Sequence, residues 1–182
     1  MYFFKKASVK AVEKALAAAG LAKSAVKVGL ISRRGVEAVA RFFKTDPGAI
    51  VQVSCYLIGE QPVLALHGGS VACSPDNLPR IFNLSGTVRT CDAAETMAAT
   101  GFEPGGVPPL PAALALPLPM TLDAGLKRFP IVYVPAGHPH WRVAMTVDEL
   151  KRLSGALVSY NVTATPDRQG HIDRAGWRAL QT

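Results

Sequence analysis

Acidic residues are scarce in this chain. Thirteen Asp and Glu stand against twenty Lys and Arg, for a formal net charge of +7. That balance disfavours a cationic partner and favours a polyanionic one, through long-range attraction and counterion release. Cysteine is rarer still: Cys55, Cys73 and Cys91 are odd in number, widely spaced and contain no Cys-x-x-Cys pair, which argues against a disulfide framework or a zinc site. Cys55 sits in an apolar run and reads as a small buried hydrophobe; a cysteine hydrolase built on it would need a histidine paired by motif, and none is evident. No run of eighteen apolar residues occurs. The nearest, Val107 to Met120, carries Pro108, Pro109, Pro111, Pro117 and Pro119 and cannot span a bilayer as a helix. The opening Met-Tyr-Phe-Phe-Lys-Lys has its charges after a short apolar patch, the reverse of a secretory leader. A cytoplasmic protein with no membrane contact is expected.

What is present is a well-buried globular composition, 49% hydrophobic and 18% charged. The expectation is one mixed α/β domain over residues 1–160, with a C-terminal tail over 161–182. Ser8 is a candidate cap for a helix with Val9, Val12, Leu16 and Ala19 on one face, ending at Gly20. Val26, Val28 and Leu30 alternate with polar or small residues as in a short strand. Ser32 then precedes Val36, Val39, Ala40 and Phe43, a second helix that stops before Asp46-Pro47-Gly48. Residues 49–58 are the strongest strand signal, and with Pro62–His67 they predict a central hairpin. Leu78, Ile81 and Phe82 indicate a short helix, and Thr87–Thr90 a strand. Asp92-x-x-Glu95 and Thr146-x-x-Glu149 are capping-box patterns, each closed by a glycine, Gly101 and Gly155. Met120–Asp123, Ile131–Pro135 and Ala156–Val162 read as further strands.

Between Thr100 and Pro109 lies Thr-Gly-Phe-Glu-Pro-Gly-Gly-Val-Pro-Pro. Three glycines and three prolines in ten residues exclude both a helix and a central strand. The segment is a shaped loop leaving a helix end, and at Gly105-Gly106 the backbone is bare enough for N–H groups to meet a ligand; the plain alternative is a surface turn. Thr121-Leu122-Asp123 and Gly137-His138-Pro139 follow. Asp123 fits either a turn carboxylate or a partner for a substrate ammonium group. His138 fits either a hydrogen-bonded surface histidine or a site residue, and His67, His140 and His171 have weaker claims.

These motifs, in this order, resemble the signature of the YbaK/ProX family of aminoacyl-tRNA editing domains, over residues 8 to 160. The resemblance implies a mixed sheet of six to seven strands surrounded by helices, with a pocket between the central strands and the Gly-Gly loop. It also implies a trans-acting deacylase that hydrolyses the ester of a small wrong amino acid, such as alanine or cysteine, on tRNA for proline. The partners implied are the acceptor end of a mischarged tRNA and prolyl-tRNA synthetase, with no metal and no cofactor.

On this reading the residues that carry catalysis are Gln52, Gly105, Gly106 and His138. Thr100, Gly101, Phe102, Val107, Pro108, Asp123, Gly137 and Tyr56 contact the substrate. A gapless match places the family's functional lysine on Gln52, which offers a neutral amide where a lysine brings a full charge. Its other reading is a solvent-side residue on an alternating strand. The loss supports an alternative function, a weakened or inactive member that binds tRNA or a small ligand, unless another basic residue such as Lys27 or Arg34 reaches the space. The lysines and arginines concentrated in the first 45 residues fit a tRNA-facing surface as well as ordinary solvated helix faces.

Overall fold

A computed structural model describes residues 6–160 and 162. Helix α1 (Ala7–Ala18) buries Val9, Val12 and Leu16, the helical spacing read from the sequence. Its N-cap is Lys6, with no side-chain cap bond, so Ser8 lies inside the first turn and does not cap it. Strand β1 is only Val26–Lys27. Val28 already has helical φ and ψ, and Gly29, at φ +59°, opens a 3-10 turn over Gly29–Arg34, so the expected strand ends three residues early and Leu30 is 67% exposed. Ser32 donates to the Gly29 carbonyl inside that turn, at 2.9 Å. Helix α2 (Val36–Phe43) instead takes Gly35 as its N-cap and ends in left-handed Lys44.

The hairpin of β2 (Val51–Ile58) and β3 (Gln61–Gly68) is the centre of the fold. Its register pairs Gln52 with His67 and Ile58 with Gln61. Both faces are covered, which is why these strands read as nearly continuous apolar runs. Val51, Cys55, Leu64 and Leu66 enter the main core with α1 and Leu122, whereas Tyr56, Ile58, Val63 and Ala65 pack with Leu78 in a second cluster. Each fully buried Leu or Val is worth about 1.5–3 kcal/mol over the exposed state, so this pair anchors both cores.

The rest is added around the hairpin. Helix α3 (Leu78–Phe82), β4 (Val88–Thr90) and α4 (Ala93–Thr100) follow. After the Gly/Pro loop come β5 (Met120–Asp123), β6 (Val132–Pro135), β7 (Trp141–Met145), α5 (Val147–Ser154) and β8 (Leu157–Ser159). Both capping boxes form, with left-handed Gly101 and Gly155 closing α4 and α5. The described residues hold eight strands in two sheets, one ordered β4-β2-β3-β5-β8 and one ordered β1-β7-β6. In the larger sheet β5 runs parallel to β3 and to β8, so it is mixed, as expected. A bridge between Ile50 and Tyr133 joins the sheets where β2 begins. Among the described residues no helix is long and apolar enough to cross a membrane. The tail from Thr163 onward and His171 lie outside the described residues.

Candidate active site

The junction of the two sheets holds a cavity of about 730 Å³. Its walls come from five places: Lys6 at the start of α1, Ile50 and Gln52 at the start of β2, Glu103 and Gly105 in the Gly/Pro loop, the β6–β7 turn with the start of β7, and the segment from Lys27 to Val39. Gly105, at φ +79°, occupies a backbone state that favours glycine.

The two glycine-containing motifs are built against each other. Gly137 N–H donates to the Gly106 carbonyl at 3.0 Å. A Cβ on Gly106 would lie 2.9 Å from His138 Cα and 3.0 Å from Pro139 Cδ, and one on Gly137 would lie 2.7 Å from the Ser8 carbonyl oxygen. Both glycines are therefore spaces that let backbones touch. Gly106 N–H is spent on the Glu103 carbonyl at 3.0 Å, so it closes the turn and does not face a ligand. The N–H groups of Gly105 and Val107 have no protein acceptor among the described residues, and Gly105 lines the cavity.

His138 is held by its own turn. Its Nδ1 faces the His140 N–H at 3.1 Å; a neutral imidazole accepts at only one nitrogen, so the tautomer is set by whether this donor or one at Nε2 is engaged. That nitrogen lies 3.4 Å from Glu103 Oε1 and 2.8 Å from Lys6 Nζ. Burial first, then the Lys6 charge, lowers the imidazole pKa below its ordinary value, while Glu103 works against them. The ring is thus a neutral hydrogen-bonding group at neutral pH. His140 stands edge-on to it at 4.8 Å between centroids.

Of the other residues read from the sequence, Thr100 donates its hydroxyl to the Thr96 carbonyl at 2.6 Å and accepts the Phe102 N–H at 3.1 Å. It fixes how the loop leaves α4. Phe102, Val107 and Pro108 are buried, the first two in the main core. Tyr56 belongs to the second core cluster and does not line the cavity. Asp123 accepts the Gly125 N–H at 3.1 Å, a turn bond, and lines a separate cavity of about 270 Å³ with Gly48, Gly68 and Tyr160. His67, buried near the end of β3, receives the Ser54 hydroxyl at Nε2 and bonds the Gly68 carbonyl through Nδ1, each at 3.1 Å. Neither Ser54 nor His67 lines the main cavity.

The structure adds a cationic group, of which only Lys27 is named for the site from the sequence. Lys6, Lys27, Arg33 and Arg142 all line the cavity, with Glu103 as its one carboxylate among the described residues. Lys27 lines the same cavity as Gln52, and Arg34 is absent from its lining. Arg142 was findable as a lone charge inside the otherwise apolar Trp-Arg-Val-Ala-Met strand. Lys6 and Arg33 carry no such mark.

The model for the aminoacyl-tRNA editing domain matches residues 32–153 of this chain. The chain belongs to that family. The match spans β2, the Gly/Pro loop and the β6–β7 turn, so the YbaK-type editing domain includes the walls just described apart from Lys6 and Lys27. Among solved structures, a proposed trans-editing enzyme for prolyl tRNA synthetase superposes with a TM-score of 0.78 at 28% identity, covering 86% of this chain and 97% of that one. A scaffold protein used for computational epitope grafting gives 0.78 at 26% identity over 88% and 99%. A hypothetical protein at 23% identity and TM-score 0.72, covering 84% and 99%, shares the fold. No curated protein matches the chain.

Proposed function

We propose that this editing domain acts in trans as a deacylase of mischarged tRNA, hydrolysing the ester of a small amino acid such as alanine or cysteine on tRNA for proline. The observation that carries the reading is the cavity itself, with the unspent Gly105 N–H on one side, a neutral histidine on another and a cationic rim. An aminoacyl ester is already activated. A positioned water and donors aimed at the developing oxyanion are enough to accelerate its hydrolysis, with no metal or cofactor. The Gly105 N–H faces the carbonyl oxygen, and the His138 ring orients the ester or its water. The rim attracts the acceptor end of tRNA, and prolyl-tRNA synthetase is the enzyme whose errors this activity removes.

Gln52 favours a second reading, a binding protein on the same scaffold, because a neutral amide grips an anion less firmly than an ammonium group. The test is hydrolysis of tRNA for proline charged with alanine, cysteine or proline, by the wild type and by Gln52→Lys. Wild-type clearance of alanine or cysteine, with proline spared, supports the deacylase. An inert wild type beside an active Gln52→Lys supports the binding protein.

A further inference from the structure

Among the described residues Arg142 is a buried cation without a counter-ion. It lies in the middle sheet position of β7, paired in register with Val26 on one side and Pro135 on the other, and it is 5% exposed. Its Nη1 donates to the Val51 carbonyl at 2.7 Å, and its Nε is buried with no partner. No carboxylate pairs with it among the described residues. Desolvation, unrelieved by any opposite charge, pulls its pKa down to about 10, which still leaves it charged at neutral pH.

A buried charge is costly unless it is paired. Nature of the missing partner follows from where the group sits: Arg142 lines the same cavity as Gln52, the residue next to the carbonyl it bonds. With Nη1 committed to Val51 and Nε enclosed, Nη2 is the guanidinium nitrogen left to donate to an anion in the cavity. Lys6, Lys27 and Arg33 line the same space from the rim and bias it toward negative charge.

We propose that Arg142 is the anion-binding residue of this site and that it receives the phosphate of the terminal nucleotide of the acceptor strand. This rests on the editing function above for the identity of the ligand. In an aminoacyl ester the amino acid's carboxyl is uncharged and its amine is positive, so the standing anion that reaches the cavity is the phosphodiester. Gln52 then needs no charge of its own, because the cation has been supplied from β7.

The experiment compares adenosine with adenosine 5′-monophosphate as probes, read by calorimetry and by the fluorescence of Trp141, which also lines the cavity. Wild-type protein should prefer the monophosphate by about tenfold or more, the size of one hydrogen bond to a charged group, and the preference should shrink with added salt. Arg142→Gln should abolish the preference, Arg142→Lys should keep part of it, and Gln52→Lys placed in the Arg142→Gln protein should restore it, since residue 52 faces the same cavity. A merely structural role would lower Tm in all Arg142 variants without changing this ratio. Should Arg142→Gln fail to fold, the Nε–H resonance of Arg142 in wild-type protein decides the matter: it should move with the monophosphate and stay still with adenosine. Equal affinity for the two probes in the wild type, an unchanged ratio in Arg142→Gln, or a silent Nε–H resonance would overturn the proposal. A phosphate preference that depends on Arg142, in a protein that hydrolyses no aminoacyl-tRNA, would uphold the anion site and refute the deacylase.

Discussion

Gly106→Ala isolates the contact on which the site depends. The added methyl would lie 2.9 Å from His138 Cα and 3.1 Å from its carbonyl carbon, both backbone atoms that cannot rotate aside. Carbon atoms in ordinary contact sit about 3.5–4.0 Å apart, so the histidine turn must retreat by about 1 Å. Overpacking of this kind costs about 1–3 kcal/mol, and at this chain length each kcal/mol lowers Tm by about 2–4 °C. A shift of about 1 Å in a positioning group costs about a hundredfold in rate. Gly155→Ala is the control: its Cβ meets nothing within 4 Å but its φ is +62°, so strain costs about 1–2 kcal/mol far from the cavity. Thermal unfolding and single-turnover ester hydrolysis, measured well below both Tm values, should show comparable destabilisation in the two variants and a rate loss in Gly106→Ala alone. Wild-type rate and Tm in Gly106→Ala would refute the packing argument. Equal rate losses in the two variants would show that lowered stability, not the displaced histidine, controls turnover.

Titrated by NMR, His138 should lose its proton below the ordinary imidazole value of about 6.5; Lys6→Ala should raise that pKa and Glu103→Gln should lower it further, in line with the sign of each neighbour's charge. Because the unfolded chain then holds the extra proton between the ordinary and the lowered value, stability falls as pH drops through that window. A pKa above the ordinary value would contradict the burial that sets it. Cys55 donates to Cys91 at 2.9 Å, and burial pushes both thiols up, so iodoacetamide at pH 8 should leave them unmodified in the native protein and hydrolysis unaffected; loss of activity in step with alkylation would revive a thiol mechanism. Thr146→Ala removes the Oγ1 acceptor that caps α5 at 3.2 Å and should cost about 1 kcal/mol, seen as a Tm lower by about 2–4 °C with hydrolysis unchanged.

The features legible in the sequence are those fixed by neighbours in the chain. Asp92 and Thr146 cap their helices because a capping box needs only residues three apart, and Gly101 and Gly155 close them because a left-handed turn needs no side chain. The β2–β3 hairpin was legible because two-sided burial demands an apolar run. The strand expected through Leu30 was not, since alternation continued past Gly29 while the backbone there turned left-handed. The Gly/Pro loop and the Gly137-His138-Pro139 turn were readable as motifs, yet the role of Gly106 as a spacer against His138 exists only after a fold across thirty residues. The cationic lining is the part least visible in the sequence. Lys6, Lys27, Arg33 and Arg142 come from four separate elements, and nothing local distinguishes Lys6 from its solvated neighbours.

The measurement closest to the central claim is the single-turnover rate at which excess protein deacylates tRNA for proline charged with alanine or with cysteine, beside His138→Ala and the spontaneous reaction. The account predicts wild-type hydrolysis well above the spontaneous rate on at least one of the two, and a slower His138→Ala of unchanged fold. Wild-type hydrolysis at the spontaneous rate on both substrates would contradict it.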